Sequence, residues 1–181
     1  MLTKNPNAEW FTTSFLDMCI AFYIRLDDYG TVMVTKKLID HIKMEPKELK
    51  LSAIINESYH TKFRSMFETL VEMKPEMADF IPEDDTMYIL TNDKGFRGAS
   101  QICDRLLLER IADKLNDSFY IIPSSIHEVI IVPYSKIPDR NEVKSLIGSI
   151  NSNESIMNPI NVLSNNLYLY IKDDPQIKII L

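Results

Sequence analysis

FYIIPSSIHEVIIV, residues 119–132, consists of two apolar, β-branched runs joined by a polar connector, Pro123–Glu128. Each run is too short and too rich in Ile and Val for a helix, and Pro123 would break one, so the stretch predicts two strands. Neither run alternates with polar residues. A strand that is apolar on both faces is covered on both sides, which places the hairpin at the centre of a sheet. Pro123, Ser124 and Ser125 supply its turn.

Downstream of the hairpin, Pro138–Asp139 opens a predicted helix. Asp139 and Glu142 make a capping pair there, and Val143, Leu146, Ile147 and Ile150 keep helical spacing. Asn151–Asn158 reads as a polar loop. Leu167–Ile171 and Gln176–Leu181 read as two closing strands around the turn at Asp173, Asp174 and Pro175. If the run Ile177–Leu181 lies unprotected at the sheet edge, it would pair two copies of the chain.

Upstream, Leu107, Leu108, Ile111, Ala112 and Leu115 mark the apolar face of a helix that must cover one side of the sheet. Met87–Thr91 reads as a strand, and Asn92–Gly95 (NDKG) as the turn of a hairpin returning through Phe96–Ser100. A helix is expected from Thr61, with Phe63, Met66, Phe67 and Leu70 on one face. Another follows Pro46, with Leu51, Ile54, Ile55 and Tyr59 at helical intervals. Thr35 caps a short helix over Lys36–Ile42. Thr31–Val34 and Ser14–Leu26 read as strands about the turn Asp27–Gly30, the latter as a strand or a short helix running into one. The order predicts an α+β fold with a largely antiparallel sheet, its central hairpin covered by amphipathic helices. Residues 1–75 form a hairpin with helices, 76–86 an acidic linker and 87–181 the sheet core, within one compact unit.

The chain has 181 residues. At that length folding buries roughly 70% of the unfolded surface, so neither disulfides nor a structural metal are required. The two cysteines, Cys19 and Cys103, lack a CxxC partner or a neighbouring histidine, as in a reduced cytoplasmic protein. The net charge is −6. Phosphate binding calls for a basic stripe, and only scattered residues such as Lys36, Lys37, Lys43, Lys47 and Arg64 would have to assemble one. Glu76, Asp79, Glu83, Asp84 and Asp85 read as a solvated loop or as a contact surface for a basic protein partner. No apolar segment approaches the ~20 residues that cross a bilayer, and the opening MLTKNPNAEW is unlike a signal peptide.

The densest chemical constellation is Ser124, Ser125, His127 and Glu128 in the central connector. These are the residue types of a serine hydrolase, which needs a histidine within reach of the nucleophile and an acid behind it. Strand geometry from Ser125 onward sends Ser125 and His127 to one face and Ser124 and Glu128 to the other, and no Gly-rich elbow surrounds either serine. The competing reading is a turn whose hydroxyls cap backbone groups. His41, His60 and His127 have no metal-ligand spacing, and the four glycines form no phosphate loop, so neither metal nor cofactor is expected.

MYILTN at 87–92, Gly98–Ala99, YIIPSSIHEVIIVP at 120–133 and VLSNNLYLY at 162–170 resemble an uncharacterised bacterial domain-of-unknown-function family. That family is common in gut Firmicutes and their mobile elements and carries an LTN…GA…YILPSSxHEVILLP pattern. The resemblance runs from about Phe15 to Tyr170 and implies a family, not an activity. Similar proteins continue further at the N-terminus, so the chain is expected to be a truncated piece or a short stand-alone version. Its length and charge are similar to those of anti-CRISPR proteins that block type II RNA-guided nucleases by placing carboxylates where phosphates belong. Two function classes follow. One is a non-enzymatic protein-binding module of that anti-defence kind, with Glu76, Asp79, Glu83, Asp84, Asp85, Asn92 and Glu128 making contacts. The other is a small hydrolase using Ser124 or Ser125 with His127, and a nucleic-acid-binding regulator is a third reading.

Overall fold

A computed structural model describes residues 1–26, 30–79, 86–137, 139, 141, 145 and 161–180. In chain order the strands are β1 (Leu2–Thr3), β2 (Thr12–Phe15), β3 (Met18–Ala21), β4 (Tyr23–Arg25) and β5 (Thr31–Met33). Helices α1 (Lys36–Ile42) and α2 (Pro46–Ser58) follow, then β6 (Thr61–Ser65), α3 (Met66–Met73), β7 (Tyr88–Asn92) and α4 (Arg105–Leu115). The central runs are β8 (Phe119–Ile122) and β9 (Val129–Pro133), and β10 (Tyr168–Ile171) and β11 (Asp174–Ile179) close the chain.

Six strands form one antiparallel sheet in the order β11-β10-β8-β9-β7-β6. The hairpin β8–β9 occupies its centre, with Ile121 opposite Ile131 and Ile122 opposite Ile130. Every residue of both strands is buried. Alternate side chains enter two cores. Phe119, Ile121, Val129 and Ile131 join Leu107, Leu108, Ile111 and Ala112 of α4, and Tyr120, Ile122, Ile130 and Val132 join Leu167 and Leu169. Each such side chain contributes roughly 1.5–3 kcal/mol on burial, which is why this stretch organises the fold. The architecture is α+β.

The N-terminal strands make two smaller sheets, β1-β3-β2 and the ribbon β4-β5. Leu2, Met18, Ile20, Phe22, Val34 and Ile39 share the core that α4 covers. Asp17, in the turn between β2 and β3, fastens this part to the main sheet. Its carboxylate accepts from Ser164 Oγ at 2.8 Å, from Asn166 Nδ2 at 2.9 Å and from Tyr168 OH. Burial opposes its charge, yet these donors outweigh it and hold the carboxyl below its ordinary value.

Several expectations change. Ser14–Leu26 is neither one strand nor a helix leading into one. Leu16, at φ 53°, and Asp17 turn the chain between β2 and β3, and a break at buried Phe22 separates β3 from β4. Thr61–Ser65 is a strand and the helix begins at Met66. TKFRS pairs along β7 with Phe63 stacked on Tyr88 at 5.0 Å. Ser65 with Glu68 forms a full capping box that starts α3. Phe96–Ser100 does not return as a strand. Gly98–Cys103 is a 3-10 turn, and β7 pairs with β6 and β9 instead. On α2, no side chain is fully buried, and Leu51 and Ile55, with Tyr59 just after the helix, face solvent. β6, which precedes residues 76–86, pairs with β7, which follows them. Thr35 caps α1 as expected, and β11 lies at a sheet edge. The turn residues Asp27 and Asp28, the helix through Val143–Ile150 and the loop Asn151–Asn158 fall outside the described residues, apart from Ser145.

Candidate functional site

The connector after β8 and the loop after β7 meet at one end of the sheet. NDKG does turn: the Gly95 N–H donates to the Asn92 carbonyl at 3.0 Å. Gly95 has φ 59°, a conformation in which a side chain would be strained. The chain then stays at the sheet end because buried Asn92 grips it. Asn92 Nδ2 donates to the Phe96 carbonyl at 2.9 Å, and its Oδ1 accepts from the Phe96 N–H at 3.2 Å. Arg97 follows at φ 58°. That region costs an L-residue about 1–2 kcal/mol. The Arg97 N–H donates to His127 Nδ1 at 3.3 Å. Thr91 Oγ1 donates to the His127 carbonyl at 2.8 Å and the Ala99 N–H to the Ile126 carbonyl at 3.3 Å. Gly98 passes so close to Asn92 and His127 that no Cβ fits.

Within the connector both serines are buried. Ser125 Oγ accepts from the N–H groups of His127 at 3.0 Å and Glu128 at 3.2 Å, and Ser124 Oγ donates to the Glu128 carbonyl at 3.4 Å. The hydroxyls therefore serve the backbone, as in an ST-turn. An N–H can donate only to an unprotonated Nδ1, so the neutral His127 ring carries its proton on Nε2 and has no free lone pair to take one from a serine. Ser124, Ser125, His127, Glu128 and Asn92 are thus brought together, but in a backbone scaffold. Glu76, within the 3-10 turn Pro75–Met77, and Asp79, just after it, lie elsewhere and are exposed, and Glu83, Asp84 and Asp85 fall outside the described residues.

Arg97 is the residue that sequence reasoning missed. Its guanidinium Cζ lies 5.0 Å from the Tyr23 ring centroid and 4.8 Å from that of Phe96, and the Phe96 ring also packs on His127. The available signal was GFRG, a side-chain pair held between two glycines.

Tyr23 links this corner to a cavity of about 500 Å³ between β4, α2 and the 3-10 turn 98–103. Tyr23 OH donates to Glu57 Oε1 at 3.3 Å, and burial, followed by the Glu57 charge, raises its pKa. Gln101 Nε2 donates to the Glu57 carbonyl at 3.0 Å, while Gln101 Oε1 accepts from Thr61 Oγ1 at 2.9 Å. Cys103 also lines the cavity, where burial pushes its thiol up to about 12. A thiol so seldom ionised is a poor nucleophile. Ile24 and Tyr59 form exposed apolar parts of the lining. At the same mouth His60 Nδ1 meets Asp93 Oδ2 at 2.9 Å, and that bond holds the Asp93 carboxyl below its ordinary value.

Among the described residues no group of three or more His, Cys, Asp or Glu side chains is arranged to hold a metal ion, and no helix is long and apolar enough to cross a membrane. No curated protein and no solved structure matches the chain. Residues 4–172 match the family model of DUF5688, a family of unknown function, and the chain belongs to that family.

Proposed function

We propose that this protein is a non-enzymatic protein-binding module whose contact surface is the exposed face of α2 with the adjoining β4–β5 ribbon and the Phe96–Arg97 corner. The observation that carries the reading is α2 itself. This 13-residue helix fully buries no side chain: Leu49 and Ala53 pack against the core, while Leu51, 57% exposed, Ile55 and the C-cap Tyr59, 80% exposed, form an apolar row turned outward. A helix in a finished monomer turns such a stripe to the core, and grouped apolar exposure marks an interaction surface. Ile24 and Val32, paired across the ribbon, are exposed as well. Aromatic and arginine side chains on a rigid loop are the usual anchors of a protein interface.

The net charge of −6 favours a partner with a basic surface through long-range attraction. The concrete candidate is a type II RNA-guided nuclease, inhibited in the anti-CRISPR manner. Its support is charge and the mobile-element resemblance. A photoreactive benzoylphenylalanine placed at position 59 tests the general reading. Illumination in the cell should give one discrete protein adduct, absent when the same group replaces Lys178 on the far edge of the sheet. No adduct at position 59 would sink the proposal. Stoichiometric retention of the guide-loaded nuclease, lost at high salt and on Glu76→Lys with Asp79→Lys, would establish the narrower one. Turnover of ester substrates lost on Ser125→Ala, with the fold intact, would favour the hydrolase instead.

A further inference from the structure

We propose that Arg97 is a preformed receptor for one carboxylate of the partner chain. The inference deepens the binding-module reading and rests on it. Arg97 sits in a left-handed backbone conformation, φ 58° and ψ 24°. A residue with a side chain rarely adopts it. The surroundings enforce it: Asn92 clamps Phe96, the Arg97 N–H is bound to His127, and Gly98 leaves no room to shift. Strain held in place by several independent contacts is characteristic of ligand sites.

The side chain is equally constrained. Its guanidinium rests against Tyr23 and Phe96, and its one described hydrogen bond runs from Nη1 to Met33 Sδ at 3.7 Å. A thioether sulfur is a weak acceptor. Arg64 and Arg105, by contrast, are paired with Glu72 and Glu109. Among the described residues Arg97 has no carboxylate within ion-pair distance. A half-buried guanidinium with one donor on a weak acceptor and no described partner for the others presents a planar fork, and the matching acceptor has two oxygens in one plane. The carboxylate is an acidic side chain or a C-terminus, since both offer the same group.

The test observes the arginine Nε–Hε resonances of the intact protein by NMR during titration with three probes. They are acetyl-Leu-Glu-Leu-amide, acetyl-Leu-Ala-Leu with a free C-terminus, and inorganic phosphate. The Arg97 signal should saturate with one of the peptides at a concentration at least tenfold lower than that for Arg110, an exposed arginine on α4, and the better peptide identifies the source of the carboxylate. Equal response of the two arginines, or tighter saturation with phosphate, overturns the proposal. No partner is used, so this outcome is independent of the cross-linking experiment at position 59.

Discussion

Replacing Gly98 by alanine tests how tightly the loop after β7 is seated on the connector after β8. An ideal Cβ at this position would lie 2.5 Å from the Asn92 nitrogen and 2.8 Å from the His127 carbonyl oxygen, and closer still to Thr91 Oγ1. Two of the three are backbone atoms, so no rotamer change relieves the contact. The φ of Gly98 is not in the left-handed region, so alanine suffers no conformational penalty and the whole effect is steric. Overpacking of this kind costs about 1–3 kcal/mol. Prying the loop away also breaks the hydrogen bond from the Ala99 N–H to the Ile126 carbonyl. Such a bond contributes about 1 kcal/mol. The sum is about 2–4 kcal/mol. With a urea dependence of ~2 kcal/mol per molar for a chain of this size, the midpoint should fall by about 1–2 M, read by circular dichroism. Gly95→Ala is the control, because a Cβ there meets nothing within 4 Å and only the φ of 59° is strained. That strain costs about 1–2 kcal/mol. Adding Thr91→Ala to Gly98→Ala should restore little, since the backbone contacts remain. A Gly98→Ala protein within about 1 kcal/mol of the parent on the same scale, or one more stable than Gly95→Ala, would refute the reasoning.

Ser125→Ala leaves the His127 and Glu128 N–H groups without their acceptor. It should destabilise by about 2 kcal/mol in the same assay. A neutral or stabilising substitution would mean that the hydroxyl is not structural. Asp17 gives a pH signature. Its carboxyl is depressed in the folded state. Its contribution is therefore present above the unfolded value, about 3.9, and is lost as pH falls through the folded one. The stability gap between parent and Asp17→Asn should be flat near neutrality and narrow below about pH 4. A gap that widens on acidification would reverse the sign of the argument.

The sheet centre was legible because Phe119–Ile122 and Val129–Val132 are apolar on both faces, a pattern that only a doubly covered strand satisfies. Helix α4 was legible from its amphipathic spacing and α1 from its Thr35 cap. TKFRSMF misled because Phe63, Met66, Phe67 and Leu70 also fit a helical period. The Ser65–Glu68 capping box that divides strand from helix was written in the sequence as S-x-x-E and outranks periodicity. The NDKG turn was visible, but its direction was not. That depends on Asn92 reaching forward to Phe96 and on Gly98 touching His127, the latter a contact between segments far apart in the chain. For the same reason the PSSIHE connector could be recognised as polar and dense, while only tertiary structure reveals that its hydroxyls face backbone amides. Arg97 had only the GFRG spacing to mark it, because its role arises from Tyr23 far upstream and from the conformation imposed on its own backbone.

The measurement closest to the central claim, that the loop and connector form a backbone-bonded scaffold and not a serine relay, is the tautomer of His127. Nitrogen-15 spectra of the selectively labelled protein, at a pH where the ring is neutral, distinguish the two ring nitrogens. The proton should lie on Nε2, with Nδ1 unprotonated and coupled to the Arg97 N–H. A proton on Nδ1 would leave Nε2 free to act as a base, break the bond to Arg97 and contradict the account.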